Sequence, residues 1–260
     1  PELFPKRTNQ AAGEDMIATS ANNYYEGVTQ KEVEAYYDKL IDHRDSTPIS
    51  YGLNSKLVKE DGKLVEKVWK VDGMYSSAIE KIVYWLEQAS GVAKGAQKRT
   101  IDELIGYYRS GDLSQFDTYS ISWVQDTLSK VDFVNGFIET YGDPLGYRAS
   151  WESLVNFRDE EATRRTETIS AEAQWFEDHS PIDPKYRKEK VKGVSAKVIT
   201  ATMLGGDCFP ATPIGINLPN ADWIRKDYGS KSVTIQNITH AYTEAAKGNG
   251  FLEEFIPDPA

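Results

Sequence analysis

The chain has 260 residues, with 30 Lys and Arg against 40 Asp and Glu, a formal charge of −10. Hydrophobic residues make up 40% and aromatic residues 12%, enough apolar matter for a core and too much for a disordered segment. The acidic balance argues against a nucleic-acid binder, and no run of about 18 apolar residues is present to span a membrane. No leader of charged, apolar and small residues opens the chain, which starts at Pro1, so the expectation is a removed leader or an excised piece. The lone cysteine, Cys208, leaves no intrachain disulfide and makes a reducing, cytoplasmic compartment the default.

Taken in chain order, the first 130 residues read mostly helical. Thr29-Gln30-Lys31-Glu32 is a capping box, and Val33, Tyr36, Tyr37, Leu40 and Ile41 follow the spacing of one buried helix face. Asp61-Gly62 separates two alternating runs, 55–60 and 63–71, and predicts a hairpin. Ser77 and Glu80 suggest a second cap ahead of Ile79, Ile82, Val83 and Leu86, with Gly91 as the stop. Ile101, Leu104, Ile105 and Tyr108 mark a third helix ending near Gly111, and Asp112 opens a fourth. From Val131 the period shortens to that of a strand. A long helix is then expected over 151–178, carrying Glu160–Arg164 and Glu161–Arg165 pairs, followed by a basic loop over 185–192. Residues 194–204 read as a buried strand and 214–218 as a short one between Pro213 and Pro219. A turn or short helix is expected at 223–229 and a closing helix over 233–247, ended by Gly248. The class is α+β.

Few residues offer chemistry. His43, His179 and His240 lack the spacing of a metal helix and read as solvated or capping histidines. Cys208 after Gly205-Gly206 has no assignable base and reads as a packed thiol. Asn237-Ile238-Thr239 fits a glycosylation sequon, a triplet common by chance. Two features carry more. In a strand, Glu139 and Tyr141 extend the face of Phe133 and Phe137; such a carboxylate can hold a ligand ammonium while the phenol donates to an oxyanion. The competing reading is a strand end where both side chains reach water. Between its prolines, the 213–219 strand must sit at a sheet edge, with Gly215 and Asn217 on one face, suited to an extended peptide laid alongside. There the competing reading is an edge strand with turn-forming asparagines. Glu152, Asp159, Glu160 and Glu161 form an acidic patch at a helix start, where dipole complementation is the ordinary explanation.

Val131-Asp132-Phe133-Val134-Asn135-Gly136-Phe137-Ile138-Glu139-Thr140-Tyr141-Gly142-Asp143-Pro144-Leu145-Gly146 resembles the E-x-Y-x-D-P-x-G segment of the dipeptidyl peptidase III family. Trp151-Glu152 sits where that family has an aromatic residue and a glutamate. Residues 213–220 resemble its G-I-N-[IL]-P-N strand, and Phe251-Leu252-Glu253-Glu254-Phe255 resembles its F-x-E-E stretch. The resemblance implies a two-lobed zinc exopeptidase that releases dipeptides from the amino terminus of short peptides. It makes Glu139, Asn217 and Asn220 the holders of the free amino terminus. Tyr141 becomes the donor to the reacting carbonyl, Gly215 part of the strand that takes substrate, and Glu152 a supporting glutamate. Neither the H-E-x-x-G-H nor the E-E-x-[RK]-x-E zinc motif of the family is in the sequence. Zinc is thus expected in the full-length enzyme, none in this chain, and the chain alone is expected to be inactive. Residues 1–150 would be the mainly helical part of a barrel-like β-core lobe. Residues 151–193 would reach toward a helical lobe absent from this chain, and 194–260 would return with the edge strand. The partners implied are short peptides and that missing lobe. The alternative is a non-catalytic peptide-binding module using the same edge strand.

Overall fold

A computed structural model describes residues 7–191, 194–246 and 255. The elements in chain order are β1 (Tyr25–Glu26), α1 (Gln30–Asp38), β2 (Ser55–Glu60), β3 (Lys63–Val68), α2 (Ser76–Val92), α3 (Gly95–Ser110), α4 (Leu113–Gln125), β4 (Val131–Glu139) and β5 (Ser150–Arg158). They continue with α5 (Glu160–Ala171), α6 (Ala173–Asp178), β6 (Val194–Gly206), β7 (Gly215–Leu218), α7 (Asp222–Asp227), β8 (Ser230–Ile235) and α8 (Gln236–Ala246). Contacts divide the chain into two compact units. The first holds Pro1–Ser129, Asn135–Glu152 and Pro219–Tyr228; the second holds Lys130–Val134, Ser153–Leu218 and Gly229–Ala260.

In the first unit, β1, β2 and β3 form a sheet in that order. The hairpin turns at Asp61 and Gly62, both with positive φ (48° and 77°), the backbone that matches the twist of a two-residue hairpin. The capping box at α1 is formed as expected: Thr29 accepts from the Glu32 N–H, and the Glu32 carboxylate accepts from the Thr29 N–H at 3.0 Å. Val33 and Tyr37 then bury against Tyr25 and Leu57. Asp112 caps α4 by accepting from the Ser114 N–H. The α3 helix stops at Gly111 in a left-handed conformation (φ 71°), where a Cβ would come within 2.6 Å of Val68. The expected cap at Ser77 is not formed. The α2 helix begins two residues earlier, after a left-handed Tyr75, and Gly91 lies inside it.

The second unit is organised by a five-stranded sheet in the order β4-β5-β6-β8-β7; β4 and β5 continue into the first unit. The β6 and β8 strands are parallel, and β7 is antiparallel to β8 at the end of the sheet, as its flanking prolines require. Ile199, Leu218 and Ile235 are buried. Two expectations fail here. Residues 151–158 are a strand, because Glu152, Leu154 and Asn156 alternate into the protein while Phe157 faces out. The helix starts only at Asp159, whose side chain accepts the Ala162 N–H at 2.8 Å. Likewise residues 233–235 complete β8 rather than open a helix. The switch falls at Gln236, whose amide donates to Asp159 (3.0 Å) and Thr200 (2.9 Å). Glu160 pairs with Lys130 at 2.7 Å rather than along its own helix. Asn237 uses both ends of its amide on Ala201 of β6, accepting from its N–H (3.0 Å) and donating to its carbonyl (2.9 Å). Gly248 and residues 251–254 lie outside the described residues; Phe255 is helical and exposed. Among the described residues no helix is long and apolar enough to cross a membrane.

Candidate functional site

The β4 strand ends at Glu139, and Asn220 belongs to the same unit. The Asn220 amide donates to the Glu139 carboxylate at 3.3 Å and to the Ile138 carbonyl at 3.4 Å. The structure therefore brings together a carboxylate and an amide from segments 81 positions apart in sequence. Both stay near the surface. With the amide turned over, its oxygen would join the carboxylate as acceptors for one cation.

Tyr141 does not share the strand face of Phe137, because β4 stops before it. The chain turns at Thr140, whose carbonyl accepts from the Asp143 N–H at 3.0 Å, and leaves Tyr141 84% exposed. Glu152 is buried inside β5, so it is not part of an acidic patch at a helix start. Asp159, Glu160 and Glu161 do occupy such a start.

The loop after Glu139 is built around Asp143. Its carboxylate is 2% exposed and accepts from four donors: the N–H groups of Leu145 (3.0 Å), Tyr147 (3.0 Å) and Arg148 (2.7 Å), and the Tyr25 hydroxyl (2.7 Å). Arg148 is fully buried. Its guanidinium lies 4.7 Å from both the Tyr25 and Tyr37 ring centres, donates to the Tyr37 hydroxyl and stands 3.7 Å from Glu66. Glu66 also accepts from Tyr37 and from Ser55. Burial pushes the Tyr25 and Tyr37 hydroxyls well above the ordinary tyrosine range despite the cation, so both remain donors. Sequence reasoning noticed Asp143 only as part of a motif. The available signal was an Asp followed by Pro-x-Gly, a turn in which a carboxylate caps its own backbone.

The second unit offers β7. Gly215 pairs with Thr234 and Asn217 with Ser232, and the Ile235 N–H bonds the Ile214 carbonyl at 2.9 Å. In an antiparallel ladder the bonded pairs alternate, so Gly215 and Asn217 turn their own N–H and carbonyl groups away from β8. Both residues are exposed. The open edge thus carries two residues' worth of backbone donors and acceptors. Sequence reasoning missed one feature altogether: a cavity of about 520 Å³ in the first unit, lined by Trp69, Met74, Tyr75, Ile79, Phe137 and Trp151. Its walls come from separate elements, so no spacing announces it. Trp69 and Phe137 pack at 4.8 Å, and the Trp151 indole donates to the Tyr108 hydroxyl at 2.8 Å, which donates in turn to Asn135.

All three histidines are solvent-facing. His43 pairs with Asp38, His179 stacks on Trp175 at 4.3 Å, and His240 lies 4.0 Å from Glu244. Among the described residues no group of three or more His, Cys, Asp or Glu side chains converges as a metal ion would need.

The family model of peptidase family M49 matches residues 28–256. Dipeptidyl peptidase 3 of Rattus norvegicus is 28% identical over 184 residues, 70% of this chain and 24% of that protein. Dipeptidyl peptidase 3 of Nematostella vectensis is 27% identical over 282 residues, covering 97% of this chain and 38% of that protein. The structure of dipeptidyl-peptidase III from Corallococcus sp. strain EGB superimposes with a TM-score of 0.71 at 25% identity, over 86% of this chain and 42% of that one. The chain thus spans well under half the length of these relatives. It belongs to peptidase family M49.

Proposed function

We propose that this chain is the substrate-holding portion of a zinc-dependent dipeptidyl peptidase acting on the amino terminus of short peptides. The observation that carries the reading is the meeting of Glu139 with Asn220. A carboxylate and an amide oxygen are the acceptors a peptide ammonium needs, and anchoring that ammonium fixes how many residues separate it from the bond to be cut. Gly215 and Asn217 would take the peptide as an added strand through their outward backbone groups. Tyr141 would donate to the carbonyl oxygen of the bound peptide, and more strongly as charge develops there, and Glu152 would support the site from within β5. Among the described residues no group of side chains fits zinc. A metal-bearing helical lobe would supply the Lewis acid and the activated water, and the chain by itself would be inactive.

Calorimetric titration with tetra-alanine and with its N-acetyl form tests the anchor. Glu139→Gln should weaken binding of the free-amino peptide about 10- to 100-fold, the usual range for a hydrogen bond to a charged group, and leave the acetylated peptide unchanged. Equal loss on both peptides would rule out an ammonium site at Glu139.

A further inference from the structure

We propose that the segment running from Arg7 to Tyr25 is a strap that positions Tyr141, with the Tyr25–Asp143 hydrogen bond as its latch. This rests on the reading of Tyr141 given above and extends it to residues that never meet the substrate. The Tyr141 side chain stands in solvent, yet its backbone is gripped from outside the loop. Thr8 donates to the carbonyls of Tyr141 (3.4 Å) and Gly142 (3.1 Å). Asn22 donates to the Gly142 carbonyl at 3.5 Å and Gln10 to the Pro144 carbonyl at 2.9 Å. The contact is close. A Cβ on Gly142 would come 2.8 Å from the Arg7 guanidinium and 3.2 Å from the Tyr24 hydroxyl, so a larger residue there would push the end of the Arg7 side chain aside.

Tyr25 closes the strap from inside by donating to Asp143 at 2.7 Å, the only side-chain donor among the four that this carboxylate accepts. The other three come from the loop's own backbone. Without the Tyr25 hydroxyl the loop keeps its internal turn and the outer bonds from Thr8, Gln10 and Asn22 but loses its buried tie to the strap. An exposed side chain has no packing to fix it, so the aim of Tyr141 depends on the backbone beneath it. Tyr25, and behind it Thr8 and Gln10, are on this account positioning residues.

Tyr25→Phe keeps the ring beside Arg148 and removes only the hydroxyl. It should weaken tetra-alanine binding about five- to tenfold, Tyr141→Phe should do the same, and the double variant should lose less than twofold beyond Tyr141→Phe alone. A merely structural Tyr25 would give additive losses, and additivity overturns the proposal. Amide hydrogen exchange gives a readout that needs no ligand. In Tyr25→Phe, exchange at residues 142–148 should rise at least tenfold while α3 and α4 stay protected; no change there also overturns it. Gln10→Ala, at an exposed position, should move exchange in the same direction without threatening the fold. If the unaltered chain fails to bind tetra-alanine, the peptide-binding reading falls, and the strap stands or falls on exchange alone.

Discussion

The loop at 140–149 is closed on itself, whereas β7 is left open. Asp143 takes four donors within the first unit, and the aromatic rings of Tyr25 and Tyr37 flank a cation that water does not reach, whose Nε and Nη1 make their contact with the rings rather than with hydrogen-bond acceptors. Along β7, Gly215 and Asn217 direct backbone donors and acceptors into solvent. The first arrangement suits a point that must not move, because an anchor that drifts by an ångström misplaces whatever it holds. The second suits a surface that must accept different sequences, because backbone bonds ignore side chains.

The largest expected effect breaks the closed side. Arg148→Ala removes a buried cation from between two rings and leaves Glu66 to share its remaining donors; it should cost about 3–5 kcal/mol in urea unfolding. A loss under about 1 kcal/mol would mean that the network is decoration around a loop held by its backbone. The open side is broken differently. Asn217→Pro deletes an outward N–H while leaving the β7–β8 bonds intact, and should weaken peptide binding roughly tenfold. It should do so for free and acetylated tetra-alanine alike, in contrast to Glu139→Gln. Asn217→Ala is the control: if it reproduces the proline effect, the side chain rather than the backbone is being read.

The smallest effect sharpens the comparison with a carboxylate that lacks Asp143's donors. Asp117 on α4 is pushed up to about 7, first by burial and then by Asp112. The folded chain therefore holds this proton more tightly than the unfolded chain does. The associated stability is complete below about pH 4 and is lost as pH rises toward 7. Asp117→Asn should flatten that slope and raise the melting midpoint at pH 8 by about 2–4 °C, with little change at pH 4.

Much of the fold was legible where local chemistry acts alone. Asp61-Gly62 dictates its turn by backbone preference, Thr29 and Glu32 satisfy each other within four residues, and Pro213 and Pro219 exclude β7 from the middle of a sheet. The errors came where neighbours in space decide. Residues 151–158 hold apolar side chains at positions compatible with either period, and pairing within the sheet made the choice. Residues 233–235 went the same way, since β8 is held by strands distant in sequence. The site was legible only as far as a motif reaches. Glu139 and Asn220 were named, but the partner of each lies 81 positions away. Arg148 drew no notice because a buried arginine carries no local signature; its place is set by Tyr25, Tyr37 and Glu66, which come from three different elements.

Asn237 illustrates how folding can close off chemistry that a sequence advertises. A sugar is joined through the side-chain nitrogen of a sequon asparagine. Here that nitrogen already bonds Ala201, and the oxygen beside it accepts in return, so the amide serves as one more rung of the sheet. A transferase would meet it as sheet rather than as a reachable acceptor. A glycan attached before folding would stand where the rung belongs, and β6 would lose its Ala201 bonds to the start of α8, keeping the one from Gln236 to Thr200.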